Sequence, residues 1–422
     1  MNISISSLRA TVALFFCCFL FHSTVSAQTN ISYSPYSLYG YGKLADPASS
    51  AQQGMGRIGY GLRNSQLINT LNPAAVSAVD SMTFMFDIGA TVRLGRYTDG
   101  ENTKSKPTAG IEYVALQFPL AKNLGLGAGL EPISYIGYKF GEMLESEKTT
   151  LGSSSYIGSG GLNKVYLNLA YSFWDNRLSL GAKGSFLYGS IFHDKYFTPP
   201  NVLQADIIPA SDSLHTRGLL YEFGLQYRQV LNKKQELIFG AVYAPKTPFG
   251  MKGKIFAEKN DREDTTIYIN NKLSEMPETY GFGITYHRLN QLTAGADFQY
   301  QKWADVFFYN AEQKFSNRMK ANIGAEYIPN YMSRKFFDKI RYRMGAYFSD
   351  SYFIDTNNSQ YKELGFSLGL GIPMIDRRSY INVAFEYSRL MPSNTLSMSE
   401  DYFKFTLSYT LNELWFHKRK LQ

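Results

Sequence analysis

The chain has 422 residues, a formal net charge of +8, 44% hydrophobic residues and 15% aromatics. That length fits two or three soluble domains or one large barrel. The positive charge is spread along the chain, and no basic run carries stacking aromatics, so the composition implies no nucleic-acid partner.

Arg9 is the only charge before the apolar run "ATVALFFCCFLF" (Ala10–Phe21), and small residues follow, ending Val25-Ser26-Ala27. A basic start, a short apolar core and an A-x-A-like end predict a secretory signal peptide over residues 1–27. The run is too short to cross a bilayer as a helix. Both cysteines, Cys17 and Cys18, lie inside it. Cleavage after Ala27 would leave no cysteine, which excludes disulfides, thiol catalysis and Cys-ligated metal.

Residues 28–80 are rich in Gly, Ser and Tyr and lack strand alternation. Within them, Gly54, Gly56 and Gly59 match G-x-G-x-x-G, with Asp80 further on. A dinucleotide fingerprint needs a buried strand just before the glycines and a helix opening on them. "DPASSAQQ" (Asp46–Gln53) is no such strand, and the chain is exported. The glycines are therefore expected to serve tight turns and close packing, and Asp80 a turn. Leu62, Leu67, Ile68, Leu71 and Val76 still require burial.

From Ser81 the period is two. "FMFDIGATVRL" puts Phe84, Phe86, Ile88, Ala90, Val92 and Leu94 on one face and Met85, Asp87, Gly89, Thr91 and Arg93 on the other. An apolar face backed by charges and glycines fits lipid on one side and a lumen on the other. Further strands are expected near Gly110–Pro119, Leu124–Tyr138, Leu162–Phe173, Leu178–Phe192, Thr216–Arg228, Glu236–Tyr243, Thr279–His287, Leu292–Trp303, Met319–Ile328, Ile340–Phe348, Glu363–Ile372, Tyr380–Ser388 and Tyr402–Leu411. Connections alternate between short ones, such as Leu120–Asn123 and Trp174–Arg177, and long polar ones: Tyr97–Thr108, Gly141–Gly161, Asp194–His215, Lys252–Glu278 and Asp350–Tyr361. Outer-membrane barrels have short periplasmic turns and longer external loops.

The expectation is an all-β protein: a transmembrane antiparallel β-barrel of about 14 strands over residues 81–412, in a Gram-negative outer membrane and in contact with its lipid. An even strand count puts both termini in the periplasm, with a basic tail at 413–422. A lumen of that width is wider than side chains fill, so residues 28–80 are expected as a plug inside it. Alternation turns Asp87, Arg93, Gln117, Lys183, Glu222, Asp297, Gln299, Glu326, Arg341, Arg343 and Glu386 into the lumen. They would hold the plug or a ligand carboxylate, or form a salt-bridged wall. Trp174, Trp303 and Trp415 fall near strand ends, as membrane-interface aromatics do. His193, His215, His287 and His417 have no metal-ligand spacing, and no G-x-S-x-G is present. Neither an enzyme nor a cofactor is expected.

"SPYSLYGYGKL" (Ser34–Leu44), "GMGRIGYGL" (Gly54–Leu62) and "INTLNPAAVSAVDSMTFMFDIG" (Ile68–Gly89) resemble the plug and first strand of FadL-type outer-membrane transporters. Asn72-Pro73-Ala74 is the sharpest element, and weaker pieces such as "MPETYGFGITY" (Met276–Tyr286) and "GADFQYQKW" (Gly295–Trp303) follow in order over most of the chain. The resemblance implies a plugged barrel of 14 strands passing hydrophobic small molecules, such as fatty acids or aromatics. Its alternative is a FadL-like barrel serving as subunit or shuttle of an outer-membrane secretion or assembly complex. The chain departs from the family pattern in running past Phe416 with a basic tail.

One strand carries a further reading. In "LGLGAGLEPISYIGY" (Leu124–Tyr138), Gly125, Gly127 and Gly129 would face the lumen, and Pro132 lacks a ladder donor. The family's kinked third strand implies a lateral opening at Gly129–Ser134, with Glu131 at its inner edge. The same residues also fit a shorter strand whose glycines make room for the plug.

Overall fold

The structure, a computed structural model, describes residues 33–100, 102–146, 149–198, 208–258, 264–309, 314–354, 360–376, 378–393 and 398–414. The expected signal peptide and most of the basic tail, with Trp415 and His417, lie outside them.

Strand β1 is short (Lys43–Leu44) and belongs to the amino-terminal segment. The wall runs through β2 (Thr83–Asp99), β3 (Asn102–Ala121), β4 (Leu124–Ser146), β5 (Thr149–Phe173), β6 (Leu178–Thr198) and β7 (Ile208–Asn232). It continues through β8 (Gln235–Ala244), β9 (Thr247–Glu258), β10 (Asp264–Met276), β11 (Thr279–Arg288) and β12 (Leu292–Gln301). It ends with β13 (Arg318–Tyr327), β14 (Arg341–Asp350), β15 (Tyr361–Pro373), β16 (Tyr380–Pro392) and β17 (Ser399–Leu414). Every pairing is antiparallel, and β17 returns to β2, from Leu414 opposite Thr83 to Ser399 opposite Thr98. β8 with β9, and β10 with β11, are each one wall strand broken at a proline, Pro245 and Pro277. The result is a closed barrel of 14 strands.

The alternation of sequence becomes the two faces of the wall. Along β2, Met85, Asp87, Thr91 and Arg93 are buried while Val92 and Leu94 are exposed. Apolar residues outward against lipid and polar ones inward is the arrangement a bilayer imposes. Among the described residues no helix is long and apolar enough to cross a membrane.

The strands are not of equal height. β12, β13 and β14 have 10 residues each, whereas β5 and β7 have 25. Ten residues at about 3.3 Å, tilted about 45°, rise about 23 Å, close to an apolar band about 25 Å tall. The strands from β4 to β11 therefore project well beyond the band at one end. This corrects the long loops expected from sequence: Gly141–Gly161 and Lys252–Glu278 are mostly hairpin arms. Above the bilayer both faces of a strand meet water or protein, so the lipid-driven alternation that marks a strand fades there.

Candidate functional site

The amino-terminal segment, Tyr33–Val79, touches inward-facing groups of strands all round the wall. Most of its apolar residues are buried, including Met55, Ile58, Leu62, Leu67, Ile68 and Val76. Three short turns of helix lie in it, at Pro35–Leu38, Ser50–Gln53 and Pro73–Ala78. Ser49 and Gln52 form a reciprocal capping box at Ser50–Gln53. Asn72 caps the 3-10 turn Pro73–Ala78, its Oδ1 accepting from Ala74 N at 3.0 Å. The Asn72 Nδ2 donates to Tyr60 O (2.7 Å) and to Leu225 O of β7 (3.2 Å). The Asn72-Pro73-Ala74 step thus ends the irregular chain and ties it to the wall.

The wall admits this backbone through its own glycines. A Cβ on Gly240 would sit 1.8 Å from Tyr60 O, and one on Gly345 would sit 2.1 Å from Gly56 N. Gly125 and Gly127 lie against Val76, which gives these two lumen-facing glycines of β4 a packing role.

The G-x-G-x-x-G turn has a specific use. Gly56 has φ +63 and its N–H donates to Ser367 Oγ of β15 (2.9 Å), while Gly54 packs on Gly369. The N–H groups of Gly59 and Tyr60 both donate to Asp297 Oδ2 of β12, at 2.6 and 2.9 Å. Successive amides converging on a carboxylate form an anion nest. The anion held is a side chain of the wall.

Ion pairs fix the segment further. Arg57 meets the Glu386 carboxylate of β16 with Nη2 at 2.9 Å and also donates to Asp46 O. Asp46 accepts from Arg318 Nη2 (2.6 Å) and Lys320 Nζ (2.9 Å) of β13. Ser34 Oγ donates to Glu400 at 2.8 Å. At the long-hairpin end Tyr41, Trp303, Tyr352, Phe353 and Tyr361 are buried in one aromatic cluster with the segment's Tyr36 and Tyr39. Trp303 therefore corrects the interface expectation. It lies just past the end of β12, where the chain turns inward, and only 1% of it is exposed. Trp174, at a turn, is 72% exposed.

The remaining sequence-predicted residues fall in three places. Asp87 accepts from Tyr113 O–H (3.0 Å), Gln117 meets Met85 Sδ, and Arg93 lies over the Tyr135 and Tyr402 rings, all buried at the wall. Glu326 bridges Arg341 (3.0 Å) and Arg343 (2.7 Å) near the short-turn end. Glu131 and Glu222 join Lys164 and Lys183 in a chain: Lys164–Glu131 2.9 Å, Lys183–Glu131 3.7 Å, Lys183–Glu222 3.3 Å. Lys183 also donates to Thr70 O of the segment.

Around Pro132 the wall changes partner. β3 pairs β4 from Ala121 opposite Leu124 up to Val114 opposite Leu130. Beyond that, β4 pairs with β1, Lys43 opposite Tyr135 and Leu44 opposite Ser134, and the β4–β5 register shifts between Pro132 and Ser134. Gly129 packs on Tyr166, and Glu131 is buried in its ion-pair chain.

Between the segment and the wall lies a cavity of about 220 Å³. Leu71, Leu220, Val242, Met276 and Trp303 give it apolar surface, and Glu131, Lys164, Lys183, Glu222, Asp297 and Gln299 give it polar surface. Residues that sequence reasoning missed include Lys164, Arg318 and Lys320, although they alternate with outward Val165, Met319 and Ala321 and were readable by the same rule. Glu112 was not readable: it is itself the extra residue of a bulge in β3, opposite the Gly89–Ala90 step, and so turns inward beside Tyr113, onto Lys404. Among the described residues no group of three or more His, Cys, Asp or Glu could hold a metal ion.

The family model described as BamG matches residues 9–422. The chain belongs to the BamG family. No curated protein matches this BamG-family sequence. Solved structures share its fold. The Pseudomonas putida toluene transporter TodX matches with a TM-score of 0.60 at 17% identity, over 88% of this chain and 100% of that one. The CymD monoaromatic hydrocarbon channel gives 0.58 at 15% identity, over 88% and 98%. A FadL homologue of Pseudomonas aeruginosa gives 0.53 at 12% identity, over 86% and 98%. The FadL-type resemblance read from sequence is thus a resemblance of fold.

Proposed function

We propose that this BamG-family protein is an outer-membrane barrel that takes up a small hydrophobic or amphipathic molecule beside a fixed plug. Residues 1–27 are its signal peptide, 28–80 the plug, and both termini are periplasmic. The cavity carries the reading. An engineered cavity of about 150 Å³ holds benzene, so about 220 Å³ suits a single substituted ring or a short chain. The fold shared with channels described for toluene and monoaromatic hydrocarbons supports the same size class. No bond is made or broken. The driving force is burial of apolar area, about 25 cal/mol per Å², and the polar lining orients the ligand. Uptake of toluene and of long-chain fatty acid in a deletion strain tests it. The wild-type gene restores uptake and a Leu71→Trp variant, which fills the cavity, does not. Uptake unaffected by deletion, for both compounds, overturns the reading.

A second reading, a barrel subunit of an outer-membrane complex, is favoured by the one-sided wall of long hairpins and by the ion pairs and aromatic cluster across the axis. Pull-down in mild detergent separates the two: a stoichiometric protein partner with no small molecule inside favours the subunit.

A further inference from the structure

The connections at the short-turn end are brief, and the longest of them, Ile328–Ile340, joins β13 to β14 in the sequence "IPNYMSRKFFDKI". This loop is internally bonded. Asn330 N–H donates to Asp338 O (2.9 Å), Ser333 Oγ to Asp338 Oδ2 (2.6 Å), and Lys335 N–H to Ser333 Oγ (3.0 Å). Tyr342 of β14 donates its O–H to Phe337 O (3.1 Å) and so anchors the loop to the wall. The bonding holds apolar side chains out: Met332 is 78% and Phe337 71% exposed, with Phe336 edge-to-face against Phe337 at 5.7 Å. The same loop carries Arg334, Lys335 and Lys339, and the β15–β16 turn next to it carries Arg378 and the exposed Ile375. Among the described residues none of these four cations has an ion-pair partner. The acids nearby are taken up within their own loops, Asp338 by Ser333 and Asp376 by Ser379. The loop thus presents uncompensated positive charge beside exposed apolar side chains.

Directly above the loop the lipid side of the wall is hollow. Tyr327 and Tyr342 face outward opposite one another at the loop end of β13 and β14. Two residues further on, Ala325 stands opposite Met344, and two further still, Ile323 stands opposite Ala346. A groove of about 620 Å³ opens here, floored by Ala325 and Ala346 and walled by Ile323, Met344, Phe366 and Leu368. At about 3.3 Å per residue and about 45° tilt, these rows lie about 5 to 9 Å above the tyrosines, inside the apolar band. Any lipid chain fits such a groove, and the charge of the loop selects among headgroups.

We propose that the β13–β14 loop and the groove above it form a site for one anionic phospholipid of the periplasmic leaflet. The site presupposes the outer-membrane placement given above, with the short turns periplasmic, and is independent of the cavity and its ligand. An acyl chain lies in the groove. Met332, Phe336 and Phe337 sink into the boundary between headgroups and chains, as apolar side chains of interfacial segments do. Arg334, Lys335 and Lys339 meet the headgroup, and each basic residue close to an anionic surface strengthens binding about fivefold. A zwitterionic headgroup offers the same phosphate with an amine that repels them.

Native mass spectrometry of the protein released from nanodiscs of equal parts phosphatidylglycerol and phosphatidylethanolamine counts the lipids that stay bound. One phosphatidylglycerol is expected to stay, with a preference of at least about tenfold over phosphatidylethanolamine. Arg334→Gln with Lys335→Gln and Lys339→Gln should weaken phosphatidylglycerol by about a hundredfold and leave phosphatidylethanolamine as it was. Ala346→Phe fills the groove and should weaken both. Heat-modifiable migration on gels shows which variants fold. Raising the salt concentration on the parent protein gives a reading without any substitution, because screening should erase the preference. Equal retention of both lipids by the parent protein, or a preference that persists in the folded triple variant, overturns the site. So does a stoichiometric protein partner held through the loop in place of lipid, and lost in Phe336→Ser with Phe337→Ser. Toluene uptake plays no part in these readings, so the cavity reading and this site stand or fall separately.

Discussion

The Arg57–Glu386 pair shows what one residue contributes to this interior. Both side chains are less than a tenth exposed. Removing one partner leaves a buried charge without compensation, which costs about 3–5 kcal/mol. Arg57→Ala is therefore expected to lower the temperature at which the barrel loses its compact gel migration, and to expose residues 33–80 to protease. Replacing both partners with apolar residues of similar size, Arg57→Met with Glu386→Leu, should recover most of the loss, because an apolar pair leaves no charge to desolvate. A double variant as unstable as Arg57→Ala would contradict this account. Asp297 offers a second case, because it accepts two amides at once. Asp297→Asn keeps the shape but weakens the nest by the strength of charge-assisted hydrogen bonds. A loss of about 1–3 kcal/mol in unfolding free energy is expected.

At the scale of elements, the wall glycines and the segment backbone are shaped to each other. Gly240→Leu and Gly345→Leu both drive a side chain into the segment's main chain, at Tyr60 and at Gly56. Each should leave the barrel able to form and the segment displaced, so that protease cleaves residues 33–80 in the folded, membrane-inserted protein. A protected segment in both variants would mean that it repacks freely. These contacts mark the limit of what alternation conveys. The period of two told which residues of β2 face inward, and it told that Gly125 faces inward. It carried no record of Val76 on the other side of that glycine. Likewise the segment's irregular path depends on Asn69, whose Nδ2 reaches Gly59 O and Leu62 O at 2.6 and 2.8 Å. No periodicity signals such a bond. The strands of the apolar band were legible because lipid enforces their pattern. The hairpin arms were misread as loops because nothing enforces it there. Pro245 and Pro277 were visible as prolines, but only the register shows that they stand side by side.

At the scale of the molecule, height and closure matter. The arms from β4 to β11 stand beyond the band on one side only. Shortening the β9–β10 arm should leave thermal stability nearly unchanged, since the ladder within the band and the segment's contacts are untouched; a large fall would show that the arm supports the barrel. Closure has a different consequence. β2 and β17, the two ends of the wall in sequence, are joined along their whole length. The segment runs directly into β2 and is gripped by β12, β13, β15, β16 and β17, the last strands to be made. Its bonds to β4, β6 and β7 are thus completed by a second set as the carboxyl-terminal strands arrive, and the ring then shuts around its own beginning. The chain is wrapped like a parcel whose string is tied last: what was synthesised first is held in part by what was synthesised last, and a truncation at β17 would loosen the opposite end of the sequence.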